Sequence, residues 1–356
     1  MGLRKDLLYT LFGVAVFAAS FLAACGAPDS QAIDPENRIR RYLYVTSGAC
    51  YGGGVALATG SNTIVAYDLT TGAVKHYIRD YNTASPGDSP VGIREFSANY
   101  FLVSVENAAG RRIDIVRKDG VEQDNYINNS AALNATMRGI FLMPDKSLLV
   151  SKASAIEKFA SGKSRVTIGA NPFVNAPAGA CATTNVNVSS LLALPNGKIL
   201  YTHANTSPNN KTVLIGANGY TAAGDCLSSQ AAPVTTSLPT ASLLHSSGKL
   251  LIAYGSTTAT SNSIYSYDLN QTTNAFSGAT LAYTDYGIVN GPSAMAEDPI
   301  TGDVYVANAT STFNTIEKFT FNSSTGVLTR ATTLPFVQNS VFSRCVTGMA
   351  VMEKSE

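Results

Sequence analysis

The chain has 356 residues, a formal net charge of +1 and only 14% charged residues. This near-neutral balance, without a basic stripe along the sequence, argues against a surface that binds nucleic acid. Serine, threonine, asparagine, glycine and alanine fill the surface positions instead, which is common in exported β proteins.

Residues 1–24 have the layout of an export signal. Arg4 and Lys5 form a basic start, and residues 7–24 form an apolar run that ends in small residues. A transmembrane helix is the alternative, because about eighteen apolar residues are just enough to span a bilayer. Removal of residues 1–24 also removes Arg4, Lys5 and Asp6, and it leaves 23 basic and 23 acidic residues.

The sequence LAAC at residues 22–25 favours export over a membrane span, because it resembles the lipobox of bacterial lipoproteins. In that family a signal peptidase cuts before the cysteine, so the resemblance implies a diacylglycerol on the sulfur of Cys25. Buried acyl chains contribute ~0.8 kcal/mol per CH₂ and hold a soluble domain at a membrane. By the sorting rules of enterobacterial lipoproteins, Gly26 favours the outer membrane, with the domain facing the periplasm or the outside.

The segment 25–40 is predicted to be the lipidated cysteine followed by a flexible tether. Residues 26–37 are polar, contain two prolines and show no apolar periodicity. The folded domain is therefore expected to begin at residue 41.

A short turn followed by a β-rich run recurs about every fifty residues. The copies are PDKSLLV (144–150), PNGKILY (195–201), SSGKLLIAY (246–254) and PITGDVYVA (299–307). A short apolar strand precedes each copy, and a second hairpin with glycine, asparagine or aspartate in its turn follows it. Four strands per repeat of this length predict the blades of a β-propeller. Five complete blades are predicted, at residues 91–127, 137–168, 189–227, 240–284 and 292–334.

The two ends of the chain are predicted to form a sixth blade. Strands near 42–47, 63–68 and 73–79 lack a leading strand, and CVTGMAVME (345–353) supplies it. The sequence therefore predicts an all-β, six-bladed propeller over residues 41–356, with four antiparallel strands per blade. The C-terminal strand closes the ring, which removes exposed sheet edges.

Four cysteines besides Cys25 predict two disulfides, because an even number in an oxidising compartment favours pairing. Cys50 follows a strand of the closing blade, and Cys345 begins the C-terminal strand beside it. We therefore predict the pairs Cys50–Cys345 and Cys181–Cys226. Buried free thiols are the alternative.

The segment GPSAMAEDPITGDVYVAN (291–308) resembles the repeat signature of the NHL and YVTN propeller families. Glycine and proline precede an apolar strand, and an Asp-Pro turn leads into a Val-Tyr-Val strand. The resemblance is strongest in this blade and covers residues 41–353 as architecture. It implies a fold and no particular activity, because propellers host unrelated chemistries.

Propeller ligands commonly bind at the central channel, where the inner strand of each blade begins. Alignment of the blades places six residues at this point, namely Val91, Arg138, Ser189, Thr240, Ser293 and Thr347. The arginine and the four hydroxyls are the candidate ligand-binding residues. Arg138 either anchors an anionic group through paired hydrogen bonds or pairs locally with Glu95 or Glu297.

The same six positions indicate whether the channel could hold a metal or a cofactor. Six-bladed lactonases of the gluconolactonase kind hold a divalent metal in the channel with Glu, Asp and Asn, and hard cations need such converging oxygens. The six positions offer no carboxylate, although Asn187 and Asn290 lie near them. The sequence therefore predicts neither a metal nor a cofactor.

Two long insertions are further candidates, because loops that exceed the needs of a scaffold often carry binding. The first, residues 47–62, is rich in glycine, and Tyr51 is its one large side chain and the predicted contact. Alternatively, a disulfide at Cys50 only fixes this loop. The second insertion covers residues 168–187.

No catalytic residue is predicted. His76, His203 and His245 fall at different strand positions, and the sequence contains no Gly-x-Ser-x-Gly elbow, His-Glu-x-x-His pair or phosphate loop. We predict a monomeric, lipid-anchored binding or scaffold module of the cell envelope that engages a protein or glycan through its loop face. The alternatives are a lactonase or esterase with a channel metal, and a structural envelope lipoprotein without a ligand.

Overall fold

The computed structural model of the chain describes residues 39–48, 60–84, 87–107, 110–128, 133, 136–152, 155–161, 173–174, 181, 187–205, 207–220, 222–256, 259–310, 314–338 and 340–355. The predicted signal peptide, Cys25, Cys50 and Tyr51 lie outside these ranges. Backbone contacts divide the chain into two units, Met1–Arg40 with Lys354–Glu356 and Arg41–Glu353, and the second unit contains the propeller. Within the ranges given above, no helix is long and apolar enough to cross a bilayer.

The described strands form six sheets, one for each predicted blade, so the six-bladed propeller is confirmed. Blade A contains β1 (Ile39–Ser47), β2 (Thr63–Asp68), β3 (Val74–Asp80) and β23 (Val346–Ser355). Blade B contains β4 (Ser89–Glu95), β5 (Tyr100–Glu106), β6 (Arg112–Arg117) and β7 (Gln123–Ile127). Blade C contains β8 (Met137–Leu142), β9 (Leu148–Lys152) and β10 (Ala155–Phe159). The predicted fourth strand of blade C would lie within residues 162–168, outside the described ranges.

The other three blades each have four strands in chain order. Blade D contains β11 (Val188–Ala193), β12 (Ile199–His203), β13 (Lys211–Ile215) and β14 (Cys226–Ala231). Blade E contains β15 (Leu238–Leu244), β16 (Lys249–Gly255), β17 (Ser263–Asn270) and β18 (Ala275–Tyr283). Blade F contains β19 (Pro292–Glu297), β20 (Val304–Asn308), β21 (Ile316–Asn322) and β22 (Val327–Arg330). The helical elements of the described residues are one short helix, α1 (Tyr81–Ala84), and three 3₁₀ turns, Ala223–Asp225, Ala259–Ser261 and Val341–Ser343.

The recurring turn of the sequence joins the inner strand of a blade to its second strand. Gly197, Gly248 and Gly302 occupy the same position of this turn in blades D, E and F, with φ angles of 82°, 86° and 72°. Lys146 takes that position in blade C at a φ of 64°. This left-handed conformation costs glycine no steric strain, which explains why the repeated phrase contains it.

The hydrophobic core consists of six clusters, and each lies between two neighbouring blades. The alternation of side chains along a strand produces this arrangement, because successive residues point to opposite faces of the sheet. In β1, Tyr42 and Tyr44 pack toward blade B, whereas Leu43 and Val45 pack toward blade F. Strand β1 thereby joins blade A to both of its neighbours.

The C-terminal strand closes the ring as predicted. The order of blade A is β23-β1-β2-β3, so β23 is its inner strand. The amide of Gly48 donates to the carbonyl oxygen of Cys345 over 3.1 Å. Val346, Met349 and Met352 are at most 2% exposed, the first two in the core shared with blade F and the third in the core shared with blade B.

The predicted disulfide between Cys181 and Cys226 is confirmed, with the two Cα atoms 5.8 Å apart. Cys181 is fully buried in the core between blades C and D, and Cys226 packs against the same core. Cys345 is also disulfide-bonded. Its predicted partner, Cys50, lies outside the described residues, so that pair stays a prediction.

The inner strands of blades A, B and C approach one another at three glycines. A Cβ atom on Gly348 would lie 3.0 Å from the Cα of Gly92, and one on Gly92 would lie 3.1 Å from the Cα of Gly139 and 2.9 Å from the Ser104 hydroxyl. A Cβ atom on Gly139 would have an ordinary contact, 3.6 Å from the Ser151 hydroxyl. Small residues at these points therefore allow the close approach of blades.

We expect Gly92→Ala to lower the free energy of unfolding by about 1–3 kcal/mol, because the added methyl group overpacks the contact between blades B and C. Gly139→Ala is the matched control, and it is expected to be neutral or slightly stabilising, since alanine restricts the unfolded chain. Urea denaturation of the two variants measures the difference. Equal stability of the two variants would contradict the proposed role of Gly92.

Candidate functional site

The six inner strands, β4, β8, β11, β15, β19 and β23, line a central channel. Where these strands begin, the channel is a narrow cavity of about 60 Å³, and where they end it widens to about 580 Å³. The two cavities share four lining residues, namely Arg94, Ser242, Met295 and Met349. The channel thus has a narrow mouth and a wide funnel that adjoin each other.

The structure brings together all six residues that the sequence placed at the start of the inner strands. The narrow mouth is lined by Val91, Arg138, Ser189, Thr240, Ser293 and Thr347. They meet because each occupies the same position in its repeat, and the propeller symmetry carries equivalent positions to one ring. Their role in ligand binding stays a prediction.

Three of the four hydroxyls at the narrow mouth bond to backbone carbonyls. Ser189 donates to Pro239 of the next blade over 2.5 Å, and Thr347 donates to Pro90 of the next blade over 2.7 Å. Thr240 donates within its own blade to Ala253 over 3.2 Å. The Ser189 and Thr347 hydroxyls therefore hold neighbouring inner strands together, and the Thr240 hydroxyl joins strands β15 and β16 of its own blade. The Ser293 hydroxyl has no hydrogen-bond partner among the described residues.

Arg138 lies at the narrow mouth with one guanidinium nitrogen 3.5 Å from the side-chain oxygen of Asn187. The two carboxylates considered as its local partners are engaged elsewhere. Glu95 forms an ion pair with Lys118, and Glu297 accepts hydrogen bonds from the amide of Ser246. The role of Arg138 toward an anionic group stays a prediction.

The three histidines lie in different blades and have structural contacts. His76 packs edge-on against Tyr42 with ring centroids 4.9 Å apart. The Nε2 atom of His203 accepts the amide of Asn187 over 3.1 Å, and that of His245 lies 3.1 Å from the carbonyl oxygen of Gly302. The first contact joins strands β1 and β3 of blade A, and the other two stabilise a loop and a turn.

Hard divalent metals are bound mainly by converging oxygen ligands, above all carboxylates. No Asp or Glu side chain lines the narrow mouth, as far as the chain is described. The described residues also contain no group of three or more His, Cys, Asp or Glu side chains positioned to hold a metal ion. The polar groups at the narrow mouth are instead guanidinium and hydroxyl groups.

The two long insertions enter the structure at the face of the narrow mouth. The first begins at Gly48, whose carbonyl oxygen accepts the amide of Gly60 over 3.1 Å. The loop between these glycines, with Tyr51, lies outside the described residues. In the second insertion, Phe173 and Val174 are buried in the core between blades C and D, and Val174 pairs with Ile156. The described part of that insertion thus packs into the core.

The wide funnel lies at the opposite face, among the repeated turns. Its half-buried apolar walls come from three inner strands, β8, β15 and β23, and comprise Phe141, Leu142, Leu243, Leu244, Ala350 and Val351. Charged side chains at Glu95, Lys146 and Glu297 also line it. A cavity of about 580 Å³ falls within the range of small-ligand sites, which are mostly apolar with a few polar groups.

Arg94 lies where the funnel meets the narrow mouth. Its guanidinium carbon lies 5.3 Å from the ring centroid of Phe141, and one nitrogen donates to the carbonyl oxygen of Ile93 over 3.4 Å. Its Nε atom is buried without a hydrogen-bond partner among the described residues. Burial lowers the pKa of Arg94 to about 10, so the group stays charged at neutral pH.

Sequence reasoning missed both the funnel and Arg94. A signal for the funnel was nevertheless present, because the inner strands end in unbroken apolar runs such as GIFLM (139–143) and SLLAL (190–194). A half-exposed strand would alternate apolar and polar residues instead. Arg94 gave no such signal, since an arginine near the end of a strand is common at a protein surface.

No protein-family model and no curated protein matches the chain. Several solved structures are similar to it at low sequence identity. A chain from the nidogen/laminin complex has a TM-score of 0.58 and 12% identity, over 88% of this chain and 98% of that chain. TolB from Acinetobacter baumannii has a TM-score of 0.54 and 12% identity, over 87% of this chain and 66% of that chain.

A third similar structure is a protein from Lactobacillus plantarum, with a TM-score of 0.53 and 13% identity, over 83% of this chain and 82% of that chain. At these identities the likeness shows the propeller fold alone. The resemblance to NHL and YVTN repeats and the lipobox stay predictions from the sequence.

Proposed function

We propose that the chain is a lipid-anchored binding module of the bacterial cell envelope and that its ligand enters the wide funnel. The observation that carries the proposal is a cavity of about 580 Å³ with half-buried apolar walls and the half-buried Arg94 at its inner end. Large half-exposed apolar surface in a concave site is typical of binding rather than of folding. The LAAC sequence at 22–25 supports the anchor, and Gly26 supports the outer-membrane location.

The proposal moves the expected binding surface from the loop face to the funnel face. On the loop face, three of the mouth hydroxyls are bonded to backbone carbonyls, and the described part of the second insertion packs into the core. On the funnel face, six apolar side chains remain half-buried. A propeller chain in the nidogen/laminin complex illustrates that this fold is compatible with a protein partner.

In-cell photo-crosslinking tests the proposal with the full, anchored chain. One variant carries the photoreactive residue at Leu243 in the funnel wall, and the matched variant carries it at Asn128, which is exposed on the loop face after β7. We expect a discrete crosslinked partner from position 243 and none, or much less, from position 128. The reverse pattern would place binding on the loop face, and no adduct from either position would contradict the binding function.

A further inference from the structure

The charges around Arg94 are unbalanced at the inner end of the funnel. Of the two carboxylates in the funnel wall, Glu95 forms an ion pair with Lys118, and Glu297 lies 3.4 Å from His245 while accepting the amide of Ser246. Within the described part of the chain, Arg94 has no carboxylate partner.

A half-buried cation without a counter-ion destabilises the free protein, because part of its hydration is lost and no charge replaces it. The ring of Phe141 beneath the Arg94 guanidinium offsets only part of this cost. An anionic ligand would supply the missing charge in a low-dielectric site, where charge-assisted hydrogen bonds are strong. The electrostatic complement of the funnel is therefore an anionic group at its inner end.

We infer that the funnel captures the C-terminal peptide of a partner protein, with the terminal carboxylate on Arg94 and apolar side chains against Phe141, Leu243 and Leu244. This inference rests on the proposed binding function and names the chemistry of its partner. The carboxylate matches the paired donors of a guanidinium, and capture of a chain terminus is a known mode of peptide recognition.

The shape of the channel favours a chain end over an internal segment. The anionic group must lie at the inner end of the funnel, next to the narrow mouth. The cavity of the narrow mouth has a volume of only about 60 Å³, so a polypeptide cannot continue through it. The rest of the ligand must leave through the open end, toward the body of its protein. The inner strands also present one sheet edge each to the channel, and such edges offer amide and carbonyl groups to an extended peptide.

The test uses the full chain in a non-ionic detergent and a fluorescein-labelled hexapeptide that ends in leucine, valine and phenylalanine. The peptide is made with a free C-terminal carboxylate and, as the matched probe, with a C-terminal amide. Fluorescence anisotropy is expected to show about tenfold or more tighter binding of the acid. In Arg94→Met this preference should disappear, and in Arg94→Lys it should be reduced but present.

Arg117→Met is the control variant, because it removes an exposed arginine of the same blade outside the funnel. It should retain the preference for the acid, and thermal melting of each variant confirms folding. Equal binding of acid and amide by the unmodified protein would overturn the inference, and so would an unchanged preference in Arg94→Met. Failure of both peptides would overturn it as well, even with a crosslinked partner at position 243. Binding of decanoate but not of the peptide acid would reassign the site to small carboxylates.

Discussion

Replacing Arg112 with methionine is expected to lower the free energy of unfolding by about 3–5 kcal/mol, because the change leaves two buried carboxylates without their cation. Arg112 on β6 binds both Asp88 and Asp114, whose side chains are fully buried. Its Nε atom lies 2.8 Å from an oxygen of Asp114. The hydroxyl of Tyr81 and the side chain of Gln123 also donate to Asp114, so one charge organises a polar cluster inside blades A and B.

The loss of unfolding free energy caused by Arg112→Met is expected to become smaller as the pH falls. Burial raises the pKa of Asp114 in the folded protein, and Arg112 opposes that rise. Without the arginine the folded pKa of Asp114 rises further above its unfolded value. The folded state then binds more protons than the unfolded state at mildly acidic pH, so protonation favours folding and stability decreases as the pH rises.

Urea denaturation at pH 5 and pH 7.5 measures this effect in the variant and in the unmodified protein. Arg117→Met is the matched control, because Arg117 ends the same strand and pairs with Asp119 at an exposed position. An exposed pair is screened by water, so this control should leave the midpoint nearly unchanged at both values of pH. The loss of unfolding free energy in Arg112→Met could instead be the same at pH 5 and pH 7.5. That result would show that the lost contact, rather than the unpaired carboxylates, causes the destabilisation.

The sequence predicted the propeller, its six blades and its closure because these features are encoded locally. Each copy of the turn phrase marks the same point of a blade, and the four copies set the spacing of about fifty residues from which the remaining blades were placed. The missing leading strand of the first blade required a strand from elsewhere, and 345–353 was the unassigned apolar segment. The equivalent positions Arg138, Ser189 and Thr347 were placed correctly at the channel for the same reason.

The size of the wide funnel could not be predicted from the repeats, because it depends on how far the inner strands diverge. That distance is set by contacts between different blades, such as the approach of Gly348, Gly92 and Gly139 on one side of the ring. The core packing of two residues of the second insertion was not predicted, for a related reason. Phe173 and Val174 form part of the core between blades C and D, and an insertion rich in small residues gives no sign of such packing.

Truncation after Arg344 is expected to prevent folding, because it removes the strand that closes the ring. The lost strand, β23, buries Val346, Met349 and Met352 in two different cores. Burial of three such side chains contributes roughly 5–9 kcal/mol, which is comparable to the whole stability of a typical domain. The truncation also exposes the edge of β1 and removes the acceptor of the Gly48 amide.

Truncation after Glu353 is the matched control, since it removes only the last three residues and leaves every buried side chain of β23 in place. It should melt at nearly the same temperature as the full chain, whereas the longer truncation should give aggregated protein without a cooperative transition. Addition of a synthetic peptide of residues 346–355 to the refolding mixture is expected to recover part of the soluble fold, because strand pairing and burial act without covalent linkage. A cooperative transition of the longer truncation, at an unchanged temperature, would mean that five complete blades and the three N-terminal strands suffice, and that closure by β23 adds no stability.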